Sequence, residues 1–135
     1  MPSVLPRVAI ALVAILMLAW SVVLWRDQVI GGAAEDRIFG NPRLTDADWQ
    51  RTLDDFKSAE LLDPGTEWAV TRAGALILKG DRGESAAITE DVLEDEPDNL
   101  QAWVVLRKAT EGRDRERFAE AEAQIRRLNP PTSAP

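Results

Sequence analysis

The chain has 135 residues, a formal net charge of −7 at pH 7, and neither cysteine nor histidine. This composition excludes disulfides, thiol nucleophiles and imidazole bases, and it removes most transition-metal chemistry. The negative charge lies in residues 35–135, which phosphate backbones would repel, so nucleic acid is not expected as a partner. We expect no cofactor, no metal site and no enzymatic activity.

Residues 8–25 form an apolar run whose only polar member is Ser21. As a helix, this run would span roughly 27 Å, close to the thickness of the hydrocarbon layer. Arginines flank it on both sides, and two tryptophans lie near its end, as is typical at membrane interfaces. We predict a transmembrane anchor over residues 1–26, with residues 8–25 in the membrane. A cleaved signal peptide and a buried core helix are the alternatives.

The charges that flank the apolar run decide its orientation only weakly. The count of lysine and arginine is nearly equal on the two sides and leans slightly towards a cytoplasmic C-terminal flank. Single N-terminal anchors nevertheless usually leave a short tail inside the cell and export the domain that follows. We therefore expect a single-pass protein of the cell membrane whose C-terminal domain lies outside the cytoplasm.

Residues 27–44 are predicted to be a linker between the anchor and a folded domain. Gly31-Gly32 is expected to break the anchor helix, and Asn41-Pro42 is typical of a turn. The isolated apolar residues Ile38 and Phe39 would contact either the domain or the lipid headgroups. Because the segment is short, we expect the domain to lie close to the membrane.

Five amphipathic helices are predicted in residues 45–129, so the fold class is all-α. The first begins at Thr45, which forms a near capping box with Asp48, and it ends at Leu62. The other four are predicted over about residues 66–79, 84–94, 99–110 and 114–128, from apolar residues at intervals of three or four. The proline-rich residues 130–135 are expected to be a disordered tail.

A phrase that ends in proline recurs every 33 residues, at Pro64, Pro97 and Pro130. A fixed period of this size indicates a repeated supersecondary unit. A proline that follows an apolar-periodic run ends a helix, because it disfavours the α conformation of the preceding residue. The period therefore predicts an array of helical pairs.

Small residues where helices would cross, an early tryptophan and closing prolines recur within this period. They are Ala73, Ser85, Val92 and Pro97 in a unit that starts at Thr66, and Trp103, Leu106 and Ala119 in a unit that starts at Leu100. Together these positions resemble the tetratricopeptide repeat, a helix–turn–helix unit of 34 residues. The resemblance covers two full units and a half-unit, about residues 48–131. It implies a short array of α-hairpins, with a plain helical bundle as the alternative. We expect Trp49, Trp68 and Trp103 in the core, where they would supply much of the buried area, with stacking on a ligand as the alternative.

The half-unit at the start of the array has no predicted first helix. Residues 33–44 could supply one, but Asn41-Pro42 argues against a helix there. The helix that begins at Thr45 is therefore expected to close this end of the array.

The resemblance implies a non-catalytic scaffold that serves the assembly of an envelope or membrane complex. Family members bind extended segments in a concave groove lined by the first helix of each unit, so the expected partner is a protein that presents an extended peptide or a helix. Carried over to this chain, the groove candidates are Glu67, Val70, Gly74, Ile77, Gln101, Val104 and Lys108.

An alternative function is a small single-span accessory subunit of a larger membrane complex. Ala11, Ala14 and Ser21 fall on one face of the anchor helix and would permit close contact with another helix.

Two charged clusters are interpreted as surface features. The acidic cluster comprises Glu90, Asp91, Glu94, Asp95, Glu96 and Asp98, and the basic cluster comprises Arg107, Lys108, Arg113, Arg115 and Arg117. The acidic cluster lacks the alternating ligands and glycine bend of a calcium loop, so we interpret it as a solvated face or partner patch. Acidic neighbours predict local salt bridges for the basic cluster, with a patch for anionic lipid or an acidic partner as the alternative.

Overall fold

The computed structural model describes residues 4–40, 43–61 and 65–130. In this part of the chain it is all-α, which confirms the predicted class. Its six helices are α1 Val4–Gly40, α2 Asp46–Glu60, α3 Glu67–Lys79, α4 Arg82–Asp95, α5 Leu100–Thr110 and α6 Arg115–Leu128. The predicted turn at 41–42, the helix end and proline at 62–64, the tail from 131, and the side chains of Ala11 and Phe39 lie outside the described residues.

Capping side chains confirm the predicted starts of α2, α5 and α6. The Thr45 hydroxyl accepts a hydrogen bond from the backbone N–H of Asp48, and the Asp48 carboxylate accepts one from the backbone N–H of Thr45. The Thr45 hydroxyl also donates to this carboxylate, which lowers the pKa of Asp48. In the same way, the side chain of Asn99 accepts a hydrogen bond from the backbone N–H of Ala102 at the start of α5, and that of Asp114 accepts one from Arg117 at the start of α6. Each cap satisfies a donor that the helix itself leaves unpaired.

α1 is one helix from the apolar run to Gly40, so the predicted linker is wrong over residues 27–40. Gly31-Gly32 does not break it. A Cβ built on Gly31 would lie 2.3 Å from a ring carbon of Trp68, whereas one on Gly32 meets nothing within 4 Å. Gly31 thus lets the indole of α3 lie directly against the α1 backbone. This packing outweighs the cost of a glycine inside a helix, about 1 kcal/mol relative to alanine.

The last turns of α1 belong to the folded domain. Ala34 is fully buried in a cluster with Phe56 of α2 and Trp68 of α3. The Arg37 guanidinium donates to Asp55 on α2, with an N–O distance of 2.9 Å. α1 therefore supplies the helix that the predicted half-unit lacked. The expectation that α2 closes this end of the array is wrong, because α2 packs against both α1 and α3.

Successive helices pack against each other from α1 to α6, and α3 also contacts α5. One buried cluster joins α1, α2 and α3, where the rings of Phe56 and Trp68 lie 6.2 Å apart. The other joins α3 to α6 around Trp103, whose indole N–H donates to the Pro97 carbonyl at 2.8 Å. Trp68 and Trp103 are buried, which confirms them as core residues, while Trp49 is only partly buried.

The helices repeat with the period of the prolines. α3 and α5 begin 33 residues apart, as do α4 and α6. Ala73 and Ser85 are fully buried, as expected of small residues at crossings. The equivalent expectation for Ala119 is wrong, because Ala119 is exposed and Ala121 is buried instead. α6 packs against α5, and Ala121 lies on the side of α6 that enters the core cluster.

Within the described residues, α1 is the one helix long and apolar enough to span a membrane, with the candidate span inside Leu12–Ile38. A signal sequence meets the same criterion. The large apolar side chains near its N-terminal end are exposed, and Trp25 retains 69% of its accessible surface. The hydroxyl of Ser21 donates to the Met17 carbonyl at 2.8 Å, so the one polar side chain of the run is satisfied inside the helix.

Candidate functional site

An open groove of about 610 Å³ crosses the face of the domain formed by α1, α3 and α5. α1 contributes Glu35 and Ile38, and the rest of the lining comes from α3 and α5. Gly74 lies in the floor, where a Cβ would meet nothing within 4 Å, so the missing side chain widens the groove. The side chains that line it are mostly apolar.

Six of the seven predicted groove residues line this cavity: Val70, Gly74, Ile77, Gln101, Val104 and Lys108. The seventh, Glu67, lies in the first turn of α3, is exposed and does not line the cavity. The other six residues therefore lie in one cavity on α3 and α5. Whether a partner occupies it stays a prediction.

Val70 was predicted to contact a partner, but it is not part of the accessible surface of the groove. This side chain is only 5% exposed and packs in the core cluster around Trp103, so its role is structural. The surface available to a partner is provided instead by Leu78, which is 61% exposed, and Val104, which is 42% exposed. Leu78 lies four residues after Gly74, and this helical spacing could have revealed it in the sequence.

Sequence reasoning also missed Glu35 and Ile38, because residues 27–44 were predicted to be a linker. Their place in the groove depends on the continuation of α1 through Gly31-Gly32. No local signal in the sequence indicates this continuation, since it requires Trp68 to pack on Gly31.

Of the two charged side chains that line the groove, Lys108 has a partner and Glu35 has none within the described residues. The Lys108 ammonium lies 2.8 Å from the Glu111 carboxylate, and this hydrogen bond lowers the pKa of Glu111. In the part of the chain that the structure describes, Glu35 has neither a hydrogen bond nor an ion pair. The groove therefore combines an apolar strip with an unpaired carboxylate on α1.

Some members of the two charged clusters pair with each other or with neighbouring side chains. Arg117 of α6 lies 2.6 Å from Glu90 of α4 and 3.6 Å from Asp114, and the pair with Asp114 confirms a predicted local salt bridge. Glu96 accepts hydrogen bonds from Thr66 and Asn99, both at 2.7 Å, and these lower the pKa of Glu96.

Neither a protein family nor a curated protein matches this sequence. Among the residues that the structure describes, no three acidic side chains are grouped so that they could hold a metal ion. The groove and the apolar helix that lines it are therefore the two features from which a function can be argued.

Proposed function

We propose that the protein is a membrane-tethered, tetratricopeptide-like scaffold that holds a partner protein in the groove of α1, α3 and α5 and serves the assembly of a membrane or envelope complex. The observation that carries this proposal is the exposure of the apolar side chains of Leu78 and Val104 in a groove whose lining is mostly apolar. Covering such a surface releases water and stabilises a complex by roughly 25 cal/mol per Å² of apolar area. A groove of this kind accepts an extended peptide or a helix.

The arrangement of the helices supports the tetratricopeptide-like part of the proposal. In that family the first helix of each pair lines the groove, and here the lining comes from α1, α3 and α5. The contact between α3 and α5, and the 33-residue spacing of helix starts, fit stacked pairs. α1 with α2 then forms the first pair.

Accessory-subunit function is the second candidate, and one observation favours it. Ile10, Val13, Ala14 and Met17 line a shallow apolar hollow on the surface of α1, where a neighbouring membrane helix could pack. Replacing the apolar run by an unrelated one distinguishes the two functions. A scaffold keeps its partner after this exchange, whereas a subunit held by its membrane helix loses it.

We propose that α1 stays in the mature protein as a single-pass anchor, with the domain outside the cytoplasm. Cleavage after the small residues 32–34 would remove Gly31, which packs on Trp68, and Ala34, which is buried in the cluster of α1, α2 and α3. Protein extracted from membranes should therefore have the intact mass that includes α1. Loss of residues 1–34 would contradict this.

Asp91→Cys creates the only thiol in the chain, and a membrane-impermeant maleimide should label it in intact cells if the domain is outside.

The groove itself is tested by Val104→Glu. A carboxylate in the apolar strip would have to be buried against the partner without a counter-charge, which is strongly unfavourable. Capture of the partner after crosslinking in native membranes should fall by about tenfold or more, corresponding to a loss of at least 1.4 kcal/mol. Helicity by circular dichroism should not change, because Val104 is partly exposed.

Asp91→Lys is the matched control for this experiment, since Asp91 is exposed on α4 and does not line the groove. It should leave capture unchanged. If Asp91→Lys abolishes capture and Val104→Glu does not, the acidic face is the interface. Val70→Glu is not a useful variant, because a charge at this buried position would unfold the domain.

A further inference from the structure

We infer that the groove takes the juxtamembrane segment of another membrane protein, the stretch of chain that directly follows or precedes a transmembrane span. This inference rests on the proposed function, since it names the class of partner for the same groove. It is carried by the observation that α1, the helix proposed to cross the membrane, also forms one wall of the groove.

The continuous helix sets the height of the groove above the membrane. The apolar run ends at Trp25, and the groove residues Glu35 and Ile38 follow ten and thirteen positions later in the same helix. At 1.5 Å per residue they lie about 15 and 20 Å beyond Trp25 along the helix axis, and closer to the membrane if α1 tilts. A partner must therefore present its binding segment within about 25 Å of the bilayer surface.

The groove cannot move away from this height without disrupting the domain. Residues 27–40 are helical rather than a flexible linker. Three contacts hold their far end to the domain: Gly31 against Trp68, Ala34 in the core, and Arg37 with Asp55. A domain on a flexible tether could reach partners far from the membrane, but this arrangement cannot.

A juxtamembrane segment satisfies this constraint because its own span places it at the same height. A helix that leaves the bilayer reaches 15–20 Å after about ten to thirteen residues. Anchoring both proteins in one membrane also raises the effective concentration of the segment at the groove.

The chemistry of the groove further restricts the segment. Apolar residues are needed against Leu78 and Val104, the two exposed apolar side chains of the strip. The carboxylate of Glu35 has no partner within the described residues, so it favours a lysine or arginine in the segment. Such residues commonly flank transmembrane spans.

The first test maps what touches the groove in native membranes. The photoreactive residue p-benzoylphenylalanine is placed at position 104 in the full chain, with a matched protein that carries it at position 91 on α4. We expect the adduct to form at 104 and not at 91. Its crosslinked peptide should lie within about 20 residues of a transmembrane span of the partner, a distance set by the height of the groove, and should contain a lysine or arginine.

The other outcomes separate this inference from the proposed function. An adduct at 104 with a soluble protein, or with a segment far from any span, overturns the inference and leaves the scaffold function standing. An adduct at 91 that equals or exceeds that at 104, or no adduct at 104, contradicts both.

A second measurement tests the height directly. Seven helix-forming residues inserted after Gln28 raise the groove by about 10 Å and keep its direction nearly unchanged, because seven residues are close to two helical turns. Residues 31–40 keep their contacts, so the melting curve of the domain should not change. The adduct at 104 should fall about tenfold as the segment loses its reach. The same residues added at the N-terminus are the control, and an unaltered adduct after the Gln28 insertion overturns the inference.

Discussion

Trp103→Ala is expected to destabilise the domain by roughly 3–5 kcal/mol, because it removes a large buried aromatic side chain and leaves a cavity. Trp103 is only 7% exposed and lies at the centre of the cluster that joins α3 to α6. The substitution also removes the donor to the Pro97 carbonyl at the start of α5. A domain of this size has few kcal/mol in reserve, so most of it should be unfolded at 37 °C.

The measurement is thermal unfolding of the full chain in detergent, monitored by circular dichroism. Trp25→Ala is the matched control, since it deletes the same indole from an exposed position on α1 and should leave the domain transition in place. Trp103→Phe should recover much of the lost stability, because it keeps a large apolar ring. An unchanged transition for Trp103→Ala would show that this side chain does not hold α4, α5 and α6 together.

Gly31→Ala is the second substitution with a large expected effect. Its methyl group would overlap the ring of Trp68, and displacing a buried indole costs about 1–3 kcal/mol. The substitution should therefore loosen the junction between α1 and the domain, although alanine favours a helix more than glycine does. Hydrogen exchange of the amides in α1 beyond Trp25 should become faster, because these residues lose their contact with α3.

Gly32→Ala provides the control at the neighbouring position. A Cβ at Gly32 meets nothing within 4 Å, so this change should be neutral or should stabilise the helix by up to about 1 kcal/mol. Equal effects of the two substitutions would mean that Trp68 does not pack on the α1 backbone. The distinction matters for the proposed function, in which the height of the groove above the membrane depends on this contact.

If the junction is as rigid as these contacts indicate, the protein presents its groove at one height and in one orientation relative to the apolar run. Two further contacts of α1 reinforce the packing of Gly31 on Trp68. They are the ion pair of Arg37 with Asp55 and the burial of Ala34 in the core. Under the proposed function, α1 is then part of the binding module rather than only its tether. Changes in α1 between Trp25 and Gly31 should therefore affect partner capture without touching the groove.

The all-α class, the apolar run and, to within about two residues, the ends of the domain helices follow from local patterns in the sequence. These features depend on local chemistry. Thr45, Asn99 and Asp114 cap helices through bonds to N–H groups of the first turn, and helical spacing of apolar residues identified the faces that pack. Six of seven groove candidates also line the observed cavity, because α3 and α5 contact each other and share one face of the domain.

Only the tertiary structure decided where α1 ends and which groove residues are accessible. Gly31-Gly32 is locally a helix breaker, and its helical state depends on an indole that comes from a residue far along the chain. Val70 and Leu78 lie on one side of α3, yet Val70 is covered by the cluster around Trp103 while Leu78 is left exposed. Ala121 packs in the core cluster against α5, whereas Ala119, two residues earlier on α6, is exposed. In each case a neighbour distant in sequence sets the outcome, and local periodicity carries no information about that neighbour.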